Sequence, residues 1–158
     1  MPNTTPPIQI RQAVPEDFPA IASFDHVGKE DESRLICIEQ AITNAECWSV
    51  VVAGSVVGYM IINNAFYSRP FLSLLYIAQE HRNRGLGREA IKWAINKIGE
   101  GFFVSTNLSN ARMLHMLRTS GFQDSGIIYN LDPGDPEVIF YYGDRQRKQL
   151  STDLTKHV

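Results

Sequence analysis

The stretch from Phe71 to Ile98 constrains this chain more than any other. It opens with FLSLLYIA, a short and strongly apolar run that reads as a central strand. That run passes into HRNRGLGREA, where three arginines and two glycines crowd together. Leu86, Ala90, Ile91, Ala94, Ile95 and Ile98 then recur at helical spacing, and Gly99 is a natural stop. A helix entered this way exposes the unpaired N–H groups and partial positive charge of its first turn, which together attract anions and phosphate above all. Gly85 and Gly87 leave the backbone bare where a ligand would press against it. Arg82, Arg84 and Arg88 add guanidinium charge matched to phosphate oxygens. The succession predicts a diphosphate cradle; a solvated basic turn is the plainer reading that a lone Gly-x-Gly would carry.

Around this centre the pattern predicts one domain. Ile8–Ala13 alternates as a half-buried strand, and Pro15 opens a helix to about His26. Gly28 to Glu32 reads as a connection, followed by a helix over Glu32 to Thr43. Cys47–Ala53 and Val56–Ala65 form a hairpin about Gly54-Ser55, and Pro70 closes the next loop. After the central helix come a strand at Phe102–Thr106 and a helix capped by Ser109 or Asn107 and ended by Gly121. Two last strands, Gly126–Leu131 and Val138–Tyr142, flank the turn Asp132-Pro-Gly-Asp-Pro136. This order predicts an α+β fold, a mixed and mostly antiparallel sheet flanked by about four helices. Residues 1–7 read as a loose N-terminus, 8–143 as the domain, and 144–158 as a charged tail.

Composition narrows the function classes. The net charge of −2 forecasts no general attraction to nucleic acid or to an anionic membrane. Cys37 and Cys47 have neither metal nor redox spacing, so no metal site is expected. No apolar run approaches a membrane span, and the first residues lack the character of a signal peptide, so a cytoplasmic protein is expected.

Three kinds of phosphate cradle compete for the basic stretch. The G-x-x-x-x-G-K-[ST] string of NTPases is absent. Gly85-Leu-Gly-Arg-Glu-Ala90 matches a dinucleotide fingerprint, but it stands late in the chain, and Phe102–Thr106 does not end in the acidic residue that would hold a ribose. The third is a resemblance: Arg82-Asn-Arg-Gly85-Leu-Gly87 is similar to the R-x-x-G-x-G coenzyme A motif of the GNAT N-acetyltransferase superfamily. RQAVPEDFPAI at Arg11–Ile21 resembles that family's first strand and helix, and the hairpin ending in Gly58-Tyr59 its second and third strands. NARMLHMLRTSGF at Asn110–Phe122 resembles its late helix, so the likeness spans about residues 8–143.

The resemblance implies acetyl transfer from acetyl-coenzyme A to a primary amine of a small molecule or protein, without a covalent enzyme intermediate. The cofactor would lie in an opening between Phe71–Ala78 and Phe102–Thr106. The backbone of Ile77 would meet the pantetheine arm. Amides across Arg84, Gly85, Leu86, Gly87 and Arg88, with Asn83 in the same loop and Arg82 at its base, would hold the diphosphate. Asn110 would reach the pantetheine or cap its own helix. Many relatives carry a tyrosine four residues before the glycine of the late helix, as the acid for the departing thiolate; here that position is Leu117. Tyr129 or Tyr76 could replace it from a strand, and His115 is expected to face elsewhere. For the base, Glu80 and His81 follow the strand, which itself carries no carboxylate. A coenzyme A-binding domain that senses without catalysis is the alternative. The acceptor would lie between Gly28–Arg34 and Asn130–Glu137, where Glu30, Asp31, Glu32, Asp132, Asp135 and Glu137 either draw a cationic amine or are ordinary surface charge. The partners implied are this amine and no nucleic acid or membrane; a homodimer is compatible.

Overall fold

The structure, a computed structural model, describes residues 7–144. The expectations for the N-terminus and for the charged tail therefore lie outside the described residues, save Pro7 and Asp144.

Strand β1 (Ile8–Gln12) leads through a 3-10 turn into helices α1 (Phe18–Phe24), α2 (His26–Glu30) and α3 (Glu32–Thr43). Strands β2 (Cys47–Val52), β3 (Ser55–Phe66) and β4 (Arg69–Ile77) follow, then α4 (Leu86–Ile98), β5 (Phe102–Asn107), α5 (Ala111–Thr119), β6 (Gln123–Asp132) and β7 (Asp135–Tyr142). They form one seven-stranded sheet in the order β1-β2-β3-β4-β5-β7-β6. Every pair is antiparallel except β4 with β5, which α4 joins as a crossover. The α+β reading and its mostly antiparallel mixed sheet are thus what the chain adopts.

The helix expected from Pro15 to His26 is broken at Asp25, and the expected connection at Gly28 begins inside a helix. Asp25 has extended backbone (φ −78, ψ 95), and its side chain accepts from the Gly28 N–H, so it caps α2. This break is why the described residues form five α-helices where about four were expected. The hairpin turns also fall elsewhere. Ala53 and Gly54 make the β2–β3 turn with φ of 50 and 80, both left-handed, as a two-residue turn between twisted strands requires. Tyr67 and Ser68 do the same for β3 and β4 with φ of 50 and 60, which places Pro70 inside β4 beside a register shift rather than at the close of a loop. Asn110 caps α5, in place of Ser109 or Asn107: its side chain accepts from the Met113 N–H at 3.2 Å.

Two apolar clusters pack on the sheet. One joins Leu72, Phe102, Val104, Val138 and Phe140 to Leu86, Ile91 and Leu117 of α4 and α5. The other joins Tyr59, Ile61, Leu74 and Tyr76 to Ile21 and Ile38 of α1 and α3. Each large side chain buried here stabilises the fold by about 1.5–3 kcal/mol. The sheet thus has an α4/α5 face and an α1/α3 face, and successive strand residues alternate between them.

Candidate functional site

The sheet is interrupted at its centre. Strands β4 and β5 pair only at Phe71 with Phe103 and Leu72 with Val104, then part. The phase of the β3–β4 ladder determines which groups this leaves open. Ala78 N–H donates to Val57 C=O at 2.8 Å, and Gly58 lies opposite Ile77, Tyr59 opposite Tyr76 and Met60 opposite Leu75. Alternate residues bond alternate sides in an antiparallel ladder, so Leu75 and Ile77 direct their N–H and C=O toward β5, beyond the last β4–β5 pair. The Ile77 carbonyl is met by Arg82 Nε at 2.9 Å. The Leu75 groups and the Ile77 N–H line the gap.

At the mouth of the gap stands the N-terminus of α4. Gly85 caps it in the left-handed conformation (φ 77), and Asn83 before it is also left-handed (φ 64). A Cβ at Gly85 would be strained by φ alone, while one at Gly87 would meet only Met116 Sδ at 3.5 Å. Bare amides and the helix dipole therefore face open space, and no side chain caps them. His81 Nδ1 is buried without a protein partner. The cleft formed here encloses about 810 Å³ and is walled by residues 73–77 of β4, 81–83 and 85–88 of the loop and α4, 105–107 of β5, and Asn110, Met113 and Met116 of α5. A helix-terminal anion seat joined to an unpaired strand edge fits a ligand with a diphosphate and an extended amide arm.

The cleft continues to the α1/α3 face, where Val27, Arg34 and Glu137 complete its wall. Asp25 is fully buried there (0% exposed) and accepts from the Gly28 N–H at 3.0 Å, from Arg34 Nε at 2.8 Å and from the Tyr59 hydroxyl. Burial pushes the Asp25 carboxyl upward, but the hydrogen bonds from Tyr59, Gly28 and Arg34 outweigh it and hold the group below the ordinary carboxylate value. Burial and the bond to Asp25 both raise the Tyr59 hydroxyl, which stays neutral. Arg34 and Arg82 each stack on the Tyr76 ring, 5.4 and 5.1 Å from its centroid. The Tyr76 hydroxyl accepts from the His26 N–H at 3.1 Å and donates to the Phe24 carbonyl at 3.5 Å, tying the α1–α2 joint to β4.

Most of the residues expected to bind cofactor do meet in one place. Ile77, Arg82, Asn83, Gly85, Leu86, Gly87, Arg88 and Asn110 all wall the cleft; Arg84 is exposed and stands off it. Arg88 also bonds the Thr119 hydroxyl at 3.1 Å, bracing α4 against α5. Of the proton-transfer candidates, Tyr76 is on the wall with its hydroxyl engaged. Glu80 is exposed and off the wall. Tyr129 is 65% exposed on β6, which β7 separates from β5, and it is absent from the wall. Leu117 lies in the core (0% exposed), whereas His115, expected to face elsewhere, is on the cleft wall. The three aspartates of the acidic loops are committed: Asp31 caps α3 through Ser33, Asp132 accepts from Asn107, and Asp135 from Ser109. Leu75, Asp25, Tyr59 and Arg34 were given no role of their own in the sequence, although Arg34 ends the segment expected to border the acceptor. Only the strand phase could have suggested Leu75, and nothing local marks the other three. Among the described residues, no group of three or more His, Cys, Asp or Glu side chains could hold a metal ion, and no helix is long and apolar enough to cross a membrane.

Known proteins share this architecture. A GNAT-family acetyltransferase from Bacillus cereus is 30% identical, with a TM-score of 0.79 over 89% of this chain and 99% of its own. The yncA protein of Salmonella typhimurium, solved with its cofactor acetyl-CoA, is 17% identical, with a TM-score of 0.68 over 89% of this chain and 96% of its own. Ard1 from Thermoplasma volcanium is 14% identical, with a TM-score of 0.68 over 87% and 99%. The last two are likenesses of fold. Among curated proteins none matches. The sequence profile of the Acetyltransferase (GNAT) family matches residues 9–122, most of the sheet and the whole of the α4 cradle, and the chain belongs to that family.

Proposed function

We propose that this protein transfers an acetyl group from acetyl-coenzyme A directly to a primary amine of a small molecule or protein, in the cytoplasm. The observation that carries the reading is the parting of β4 and β5 after Leu72 and Val104 beside the uncapped N-terminus of α4. The diphosphate lies against the amides of residues 85–88. The pantetheine arm adds to the edge of β4 through the Leu75 groups and the Ile77 N–H, as an extra strand would. That course carries the thioester to the apex of the gap, where the acceptor meets it from the α1/α3 face. The amine attacks the carbonyl carbon, and the thiolate leaves.

The second reading, a coenzyme A-binding sensor, is favoured by Leu117, a buried leucine that offers no hydroxyl at the position where the resemblance implies a tyrosine in many relatives. An assay of free thiol release from acetyl-coenzyme A across a panel of primary amines separates the two. Transfer predicts amine-dependent thiol with an equal amount of acetylated amine. Tight binding with no thiol from any amine would leave the sensor.

A further inference from the structure

The cleft has one carboxylate on its wall among the described residues, Glu137. It lies on β7 opposite Asn107, the last residue of β5, where β5 has already parted from β4. Its neighbours Val138 and Phe140 pack with α4 and α5, so the alternation along β7 turns Glu137 to the α1/α3 face, from which the acceptor would come. Glu30 and Glu32 are exposed and off the wall, and the Ser105 hydroxyl bonds Glu137 itself. Asp25 is buried under three donors, the Tyr76 hydroxyl is tied to the α1–α2 joint, and Asp132 and Asp135 hold Asn107 and Ser109.

We propose, resting on the transferase reading above, that Glu137 is the group that takes the proton from the acceptor's ammonium. The ammonium gives one proton to the Glu137 carboxylate. The freed nitrogen lone pair forms the C–N bond at the thioester carbonyl carbon, and the C–S bond breaks as the tetrahedral oxyanion collapses. The nitrogen's surplus proton passes through water to the departing sulfur, leaving an amide and a free thiol, and Glu137 returns its proton to solvent. Half-burial raises the Glu137 carboxyl above the ordinary value, Asp132 and Asp135 raise it further, and Ser105 opposes them. A carboxylate tuned upward is the better proton acceptor at neutral pH. The charged and titratable groups that share the wall are Arg34 from α3, Tyr76 from β4, His81 and Arg82 from the loop, Arg88 from α4, and Arg112 and His115 from α5.

The test pairs Glu137→Gln and Glu137→Asp with the parent protein and an amine found active in the panel. E137Q is expected to lose about a hundredfold or more in kcat/KM and the acidic limb of its pH profile. Coenzyme A affinity by calorimetry and the far-ultraviolet circular dichroism should stay as in the parent. E137D, which keeps a carboxylate, should recover part of the rate. Independently of turnover, carboxyl carbon NMR of the ligand-free protein should show the Glu137 resonance titrating above the ordinary glutamate range. A folded E137Q within about twofold of the parent, an acidic limb that survives in it, or a Glu137 carboxyl titrating in the ordinary range each overturns the assignment. A parent that binds the thioester but turns over no amine overturns the transferase reading as well, so the two failures are distinct.

Discussion

The two sides of the cleft are built on opposite plans. The cofactor side is main chain from one contiguous stretch: the edge of β4 from Leu75, then the loop and first turn of α4 to Arg88. The hold proposed for it rests on amide direction, which strand phase and helix geometry supply whatever most of the side chains are. The proposed acceptor side is side chains gathered from separate elements: Arg34, Tyr76 and Glu137 on the wall, with Asp25 and Tyr59 buried behind Arg34. Its geometry depends on a buried ion pair whose members each need the others. The contrast teaches that substitutions should separate cleanly into those that change binding on a stable fold and those that change the fold itself.

The largest effect should come from the acceptor side. Asp25→Ala leaves Arg34 and the α2 N-terminus without their acceptor, and removing one partner of a buried pair costs about 3–5 kcal/mol. Urea denaturation checks this, and a loss below about 1 kcal/mol would mean that the network contributes no more than surface pairs do.

A second buried carboxylate, remote from the cleft, sharpens the comparison. Asp17 accepts from Arg11 through both oxygens, from the Val14 N–H and from the Ser49 hydroxyl. The Arg11 bond above all holds it at about 2, against an ordinary 3.8. A depressed folded-state value stabilises the fold above the unfolded value and is lost as pH falls through the folded one. About 2 kcal/mol should therefore disappear between pH 3.8 and about 2. Asp17→Asn should flatten that acid limb of the stability curve without altering coenzyme A affinity. A changed affinity would show that the far end of the sheet shapes the cleft.

On the cofactor side the effects should be smaller and confined to binding. A Cβ at Gly87 meets only the flexible end of Met116, so Gly87→Ala should keep its urea midpoint close to the parent's while calorimetry shows coenzyme A bound about tenfold more weakly or worse, ~1.4 kcal/mol. An unchanged affinity would mean that the ligand does not approach the α4 amides. Arg82→Ala should weaken coenzyme A and a pantetheine-only fragment alike, by a few-fold, since Arg82 Nε holds the Ile77 carbonyl at the edge of β4. A loss seen with coenzyme A alone would return Arg82 to a phosphate-binding role.

The same division explains what the sequence disclosed. The α4 cradle was legible because its physics is local: a strand, a glycine-bearing basic turn and a helical face lie within thirty residues of one another. The strands and their order along the chain were legible from alternation and turn residues; the last turn, expected over residues 132–136, narrowed to residues 133–134, and two hairpin turns moved by a residue or two. In both, the left-handed pair needed between twisted strands fell on Ala53-Gly54 and Tyr67-Ser68, and only one of those four residues is a glycine. The break at Asp25 was hidden because its cause is tertiary. An aspartate inside an apolar helical pattern looks like a solvent-facing residue until Tyr59, from a strand 34 positions away, closes on it. Tyr129 and Glu80 were plausible by type and proximity in the chain, but β6 is an edge strand of the sheet, beyond β7, and Glu80 sits on an exposed turn. Glu137 was visible only as one acid among several in a loop. Its distinction is that its strand turns it inward while its neighbours are bound to Asn107 and Ser109.

The gap between β4 and β5 and the first turn of α4 should together bind the cofactor. The most direct measurement is an amide NMR titration of the nitrogen-15-labelled protein with coenzyme A. The largest shifts should fall on Leu75, Ile77 and residues 85–88, with Asp17 and Tyr129 unmoved. Shifts concentrated on another surface, with the amides of residues 85–88 silent at saturation, would contradict it.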